Sequence, residues 1–502
     1  MTAPAFLDLR DRDTLFDTLG ASVFDLAIIG GGITGAGIAR DAAMRGLSVA
    51  LIEARDFASG TSSRSSKMIH GGLRYLAQGD VALVREAASE RKIVQAIAPY
   101  LARETPFVIP GRNAAAIAKL RAGLWAFEKL GGVPKSRKHE VWSLADLRAR
   151  EPALRVDDLA GAVVYPEYLT DDARLTLANI LSAAASGAVV VNYASADQIV
   201  LEGGQAAAIE VVDTLPGADA RHARLRARMI VNAAGPWVDA VRALEAPGAA
   251  RRLTLAKGVH LVVPRARLPV ERTIVFPAAD RRSVFAVPKG PVTYLGTTDT
   301  LYAHPDAWPT VTGGDADYLL TAAAARFCVP PLARADIVSV WSGVRPLVRE
   351  EGKSTSDTSR RDEVWSGPGG VLSIAGGKLT AYRRMAQRVV DQVETALGRN
   401  PTACRTADEV LIGGDAPPPG AGVDPAAEAA HAVLCEGALT LEDYWVRRSA
   451  RAWFDQDGGM AALGAAAGAM APLLAWSAAR AAEEVAGCRA RRDGQMAAFR
   501  AG

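Results

Sequence analysis

Phe24 to Ile29 is a short, mainly apolar run that stops at Gly30. Ile33 to Arg45 follows with small and apolar residues at helical spacing up to Gly46, and Leu47 to Ile52 is apolar again. The pattern predicts a strand, helix, strand unit, with Gly46 as the helix stop. From Lys67 to Ala98 the spacing predicts mainly helix, whereas Val108 to His139 is basic with a weaker pattern. The middle of the chain alternates helix and sheet signals. Asp171 to Ala185 reads as helix, and Ala188 to Tyr193, Ala206 to Val212 and Ala227 to Val231 read as strands set apart by glycine or polar turns. Further strands are predicted at Leu261 to Val263, Arg272 to Phe276, Ser283 to Val287, Val292 to Gly296 and Val371 to Ala375. Helices are predicted at Asp315 to Phe327 and Lys378 to Leu397. Gly413 to Pro425, with three consecutive prolines at 417 to 419, reads as a linker, and the Ala-rich remainder as helical.

Composition narrows the class. At 502 residues the chain should hold two or three domains, taking roughly 150 residues for each. Hydrophobic residues at 49% and charged residues at 23% exclude a disordered chain or a disulfide scaffold, and a net charge of +3 gives no reason to expect a nucleic-acid partner. Cys328, Cys404, Cys435 and Cys488 lie far apart with no CxxC pair, so neither a metal site nor a redox dithiol is expected. The first twenty residues carry Asp8, Asp11, Asp13 and Asp17 and lack the pattern of a secretory signal, so a cytoplasmic location is expected. Gly458 to Ala479 is uncharged but too rich in Ala and Gly for a membrane span, and reads as buried helix.

Chemistry enters at Gly30-Gly31-Gly32-Ile33-Thr34-Gly35, which fits G-x-G-x-x-G between a strand and a helix. In that setting Gly30 permits the tight turn, Gly32 admits a pyrophosphate to the backbone, and Gly35 lets the helix pack closely on the sheet. Amide donors and the positive helix end then hold phosphate. Glu53, at the end of the second strand, is placed to accept hydrogen bonds from an adenosine ribose. The motif alone does not separate FAD from NAD.

Residues further along carry a resemblance. Thr61-Ser62-Ser63-Arg64-Ser65-Ser66-Lys67-Met68-Ile69-His70-Gly71-Gly72-Leu73-Arg74-Tyr75-Leu76 resembles the signature of the FAD-dependent, quinone-linked glycerol-3-phosphate dehydrogenases. Val231 to Trp237, Gly296 to Asp299, Trp341 to Leu347 and Gly376 to Arg383 resemble the same family in the same order. The resemblance implies an α/β fold: a Rossmann-like FAD-binding domain, an interleaved strand-rich substrate domain and a short C-terminal helical cap. The expected division is an N-terminal extension at 1–23, FAD-binding segments at 24–110, 171–240 and 346–412, and a basic helical and substrate-domain segment at 111–170. The substrate domain follows at 241–345, then a linker at 413–425 and the cap at 426–502, whose sequence departs from the family after Arg448.

The resemblance also implies site residues. Besides Gly30, Gly32, Thr34, Gly35 and Glu53, FAD is expected to meet Thr61, Ser62, Ser66, His70, Gly71, Ala233, Gly235, Gly377, Lys378, Leu379 and Thr380. Arg345, read as lying in a turn with Gly343 and Pro346, is expected near the flavin, with Arg74, Tyr75, Arg360 and Lys378 as further contacts to substrate. A planar guanidinium suits the phosphate of sn-glycerol 3-phosphate. His70 and His260 are the candidates for the base that takes the hydroxyl proton. The implied reaction yields dihydroxyacetone phosphate, with electrons passed to quinone. An oxygen-using oxidase of glycerol 3-phosphate or of a small amine, and a flavin-binding protein without catalysis, stay open as alternatives. Arg112, Lys119, Arg121, Lys129, Lys135, Arg137 and Lys138, interleaved with Leu124, Trp125 and Phe127, suit peripheral contact with an anionic membrane surface. A homodimer is compatible with the sequence.

Overall fold

The computed structural model describes residues 6–71, 81–130, 138–217, 220–349, 362–413 and 422–500. Arg74, Tyr75, Arg360, Lys135, Arg137 and the three linker prolines lie outside the described residues. Among the described residues two sheets organise the chain, one of eight strands and one of ten.

The first sheet has a parallel centre. Leu372–Gly376, His222–Asn232, Val23–Ile29, Val49–Ile52 and Val189–Val191 lie side by side in that order. Parallel strands are covered on both faces, which is why Val49–Ile52 is buried at every position. Leu26 and Ile28 face the helices Ile33–Met44, Asp172–Ala185 and Tyr382–Ala396. Ala27 and Ile29 face the other way, toward Phe16 and Leu19 of the helix Arg12–Ala21. The helix Arg12–Ala21 is therefore packed onto this sheet. His222–Asn232 alternates exposed Arg224, Arg226 and Arg228 with buried Ala223, Leu225 and Ala227, then becomes wholly buried as it enters the parallel centre.

The second sheet is built on Leu253–Pro264, flanked by Ser339–Val348 and Val292–Gly296. Arg103–Gly111 and Gly161–Leu169 extend it, and Met68–Ile69 closes its far end by pairing with Tyr168 and Leu169. Three expectations change here. Of the helix predicted over Lys67 to Ala98, the described residues show the strand Met68–Ile69 and the helix Val81–Ile97, the basic region resolves into the strand Arg103–Gly111 and the helix Ala114–Leu130, and Arg345 lies inside a strand rather than a turn.

The C-terminal part is helical, with Pro425–Glu436, Leu463–Leu473 and Ala478–Arg500. Leu463, Ala466, Ala467 and Met470 bury one side of the middle helix. No described helix is long and apolar enough to cross a membrane. Glu436 fastens this part to the first sheet's helices, accepting from Arg174 at 2.6 Å with His431 Nε2 at 3.5 Å. Burial pushes its carboxyl up, but the Arg174 charge and the His431 hydrogen bond outweigh this and hold it at about 2, against 4.5 when unperturbed. Because the folded value is the lower one, ionised Glu436 stabilises the fold fully above about pH 4.5, and this is lost as pH falls toward 2. The contribution is about 3 kcal/mol. Acid denaturation followed by tryptophan fluorescence should steepen in that window, and Glu436→Gln should remove the steepening; an unchanged profile would contradict this account.

Candidate functional site

A cleft of about 620 Å³ opens beside the glycine turn and continues between the two sheets. Its nucleotide end is set by backbone geometry. Gly30 has φ +114°, and a Cβ there would lie 2.7 Å from the Ala233 carbonyl oxygen; a Cβ on Gly35 would lie 1.9 Å from the Gly30 oxygen. Only glycine keeps strand and helix this close. The Glu53 carboxylate accepts from the Gly31 amide at 2.7 Å and the Arg55 amide at 2.9 Å and lines the cleft. Burial raises the Glu53 carboxyl, and the two amides oppose that rise. Ser62 Oγ accepts from the Ile33 amide at 2.9 Å in the first helical turn.

Of the residues expected to meet a cofactor, Gly30, Gly32, Thr34, Glu53, Thr61, Ser62, Ala233, Gly235, Gly377, Lys378 and Leu379 all line this one cleft, and Arg345 lines it too. Gly35 lies beneath it as packing. Ser66, His70, Gly71, Thr380 and His260 are not in its lining; they hold the segment that borders it. Ser66 Oγ lies 2.9 Å from His260 Nε2, and the Tyr294 hydroxyl and Trp341 indole donate to the Ser66 and Ser65 carbonyls at 3.1 Å. The His70 amide donates to Thr380 Oγ1, which donates back to the His70 carbonyl, both at 3.2 Å. The Gly71 amide donates to the buried Glu167 carboxylate at 3.2 Å. This segment is thus pinned to the second sheet, and at His70 to Thr380, just after the first sheet's strand Leu372–Gly376.

Arg345 projects from Ser339–Val348 opposite Ala256, next to Gly258, where a Cβ would meet Arg345 Nη2 at 2.3 Å. Its guanidinium donates to Thr297 Oγ1 at 3.0 Å, to the Thr298 carbonyl at 3.3 Å and to Asp299 Oδ1 at 3.1 Å. His260 is buried and stacks on Trp341 at 4.7 Å. Burial, with the Arg345 and Lys67 charges, drives its imidazole far below the usual range, so it is neutral.

Sequence reasoning missed Asp172. It is fully buried, lines the cleft, and accepts from Lys67 Nζ at 2.6 Å and from the Ser65 amide and hydroxyl at 2.9 and 2.7 Å. Ser59, Ser65 and Trp237 also line the cleft. Arg64, quoted within the signature but given no role, is buried with its guanidinium 4.0 Å from the Trp308 ring.

Residues 25–383 match the family model of the FAD dependent oxidoreductases, and residues 417–481 match the C-terminal domain of alpha-glycerophosphate oxidase. An aerobic glycerol-3-phosphate dehydrogenase of Staphylococcus aureus (strain USA300) is 41% identical over 412 residues, which is 80% of this chain and 73% of that protein. The chain belongs to the FAD-dependent glycerol-3-phosphate dehydrogenase family. The crystal structure of the glycerol-3-phosphate dehydrogenase from Bacillus halodurans complexed with FAD superposes with a TM-score of 0.81 at 30% identity, covering 98% of this chain and 99% of that one. A glycine oxidase from Geobacillus kaustophilus shares the fold, with a TM-score of 0.58 at 24% identity over 77% of this chain and 98% of its own. As in the dehydrogenase family at large, FAD is the cofactor. The cleft fits it: a turn in which Gly30 and Gly35 leave no room for a Cβ, a helix start and the Glu53 carboxylate are joined in one lining with the cationic residues Arg345 and Lys378.

Proposed function

We propose that this family member oxidises sn-glycerol 3-phosphate to dihydroxyacetone phosphate and delivers the electrons to quinone. The observation that carries the reading is the convergence of Arg345 and Lys378 on the same cleft as the nucleotide turn. When bound, FAD supplies the hydride acceptor for the substrate's C2. The protein's part is to bind and orient. Arg345, with its fork already aimed by Thr297 and Asp299, takes the phosphate, and Lys378 adds a second positive charge. Of the two candidate bases, His260 is buried, held by that burial far below the usual imidazole range and so a weak proton acceptor, and its Nε2 is engaged by Ser66, so it positions the segment. His70, half-buried in the same segment with its backbone held by Thr380, is the base assigned to take the proton.

Quinone is lipid-soluble, and the helix Ala114–Leu130 supports contact with an anionic bilayer at the inner membrane face. Leu124 and Phe127 are buried, whereas Trp125 is 53% exposed with Lys129 Nζ 4.3 Å from its ring. A second reading, oxygen as acceptor, is favoured by the match of residues 417–481 to an oxidase's C-terminal domain.

One anaerobic experiment tests these points. Mixing the yellow protein with sn-glycerol 3-phosphate should bleach the flavin rapidly, while glycerol should bleach it far more slowly and glycine should leave it yellow. Reoxidation should be faster with quinone than with oxygen, and faster again with quinone carried in phosphatidylglycerol vesicles. Bleaching by glycine alone, or none at all, would defeat the substrate assignment. Faster reoxidation by oxygen would select the oxidase, and indifference to vesicles would remove the membrane contact.

A further inference from the structure

The turn from Glu53 to Ser59 has two sides. Glu53, Ala54, Arg55 and Ser59 line the cleft. Asp56 points the opposite way and is fully buried against the C-terminal helical part. Its carboxylate accepts from Arg447 Nε and from Arg448 Nη1, from Arg448 Nη2 at 2.9 Å, and from Asn192 Nδ2 at 3.3 Å. The remaining bonds of the two arginines stay within the C-terminal part: Arg447 donates to Asp443 at 2.7 Å, and Arg448 to the Glu436 carbonyl at 2.8 Å. A second tie runs in parallel. The Tyr193 hydroxyl donates to Asp443 at 2.6 Å, while its amide donates to the Arg55 carbonyl at 2.8 Å and the Ala194 amide to the Glu53 carbonyl at 2.8 Å.

We propose that the C-terminal helical part locks the adenosine end of the FAD site, with Arg447 and Arg448 holding Asp56 and, through it, the turn that carries Glu53. The inference rests on FAD as cofactor and is independent of the substrate. Asp56 and the two arginines are positioning residues. Two buried guanidinium groups on one carboxylate make a rigid joint, because a partner removed from such a cluster leaves a buried charge without compensation. The carboxylate that would receive the ribose is three residues from that joint, so loosening the joint displaces it.

Full-length apoprotein carrying Asp56→Asn or Arg448→Lys should bind FAD more weakly, by about tenfold or more, and bind ADP more weakly by the same factor, since the two ligands share the adenosine end. The midpoint potential of flavin that remains bound should not move. Unchanged affinity for FAD, or a loss for FAD without a loss for ADP, would overturn the lock. Should either variant fail to fold, the unaltered protein still decides. Coupling is reciprocal, so saturating FAD should slow hydrogen exchange at residues 436–451 as well as at 53–59. Protection confined to 53–59 would refute the proposal.

Discussion

Replacing Gly35 with alanine is expected to yield a colourless protein. Alanine is the better helix former by about 1 kcal/mol, so local propensity alone would favour the change. The close approach decides otherwise. The added methyl would lie 1.9 Å from the Gly30 carbonyl oxygen and 3.4 Å from Ile28 Cγ2. The first of these is backbone, and Gly30 is itself held by its amide's 2.8 Å bond to the Ile52 carbonyl, so no side-chain rotation relieves the clash. The helix must lift from the strand, taking with it the first-turn amides and the Ser62 contact at Ile33. Overpacking of this kind costs about 3 kcal/mol, roughly a hundredfold in FAD affinity. Gly468→Ala supplies the contrast: that glycine lies within Leu463–Leu473 with nothing within 4 Å of its added Cβ, so the same exchange should be neutral or mildly stabilising. Flavin retained at the normal ratio in purified Gly35→Ala protein would refute this account of the turn.

What the sequence disclosed follows the range of the physics involved. The glycine turn, the flanking strands and Glu53 were legible because their signals are local: covered parallel strands read as apolar runs, and the glycine spacing reports a contact within a few residues. Arg345, singled out by resemblance, lines the cleft, but its backbone setting was misread, since Gly343 and Pro346 look like a turn. In the strand, Gly343 is required because a Cβ would meet the Arg64 carbonyl oxygen at 2.7 Å. Pro346 is tolerated because Ser339–Val348 pairs only with Leu253–Pro264 among the described strands, leaving its other edge without a ladder to break. Met68–Ile69 was hidden for a related reason: its partners Tyr168 and Leu169 are about a hundred residues away, and two residues carry no period of their own. Asp172 gave no signal at all. It follows Asp171, which caps the helix, and nothing in the pair tells which one turns inward to Lys67.

Arg345→Met should leave the protein yellow and cripple turnover. Glycine turn, Glu53 and Lys378 are untouched, so FAD loading should be normal, and the loss should fall on substrate. Arg345 is 21% exposed on its side chain and already bonded to Thr297, Thr298 and Asp299, so its orientation is fixed before substrate arrives and no ordering cost falls on binding. Removing a partly buried, hydrogen-bonded charge from a phosphate site costs about 2 to 5 kcal/mol, so kcat/KM for sn-glycerol 3-phosphate should fall roughly thirtyfold to several thousandfold. Arg345→Lys should recover only part of this, because an ammonium keeps the charge but cannot bridge two phosphate oxygens with a planar fork. Glycerol provides the decisive comparison. Its turnover, expected to be slow in the unaltered protein, makes no use of a phosphate contact and should change little, so the preference for the phosphate ester should collapse by nearly the whole factor lost. Equal losses on both substrates would place Arg345 in the service of the flavin or of the Asp299 turn, and the phosphate site would have to be sought elsewhere in the cleft.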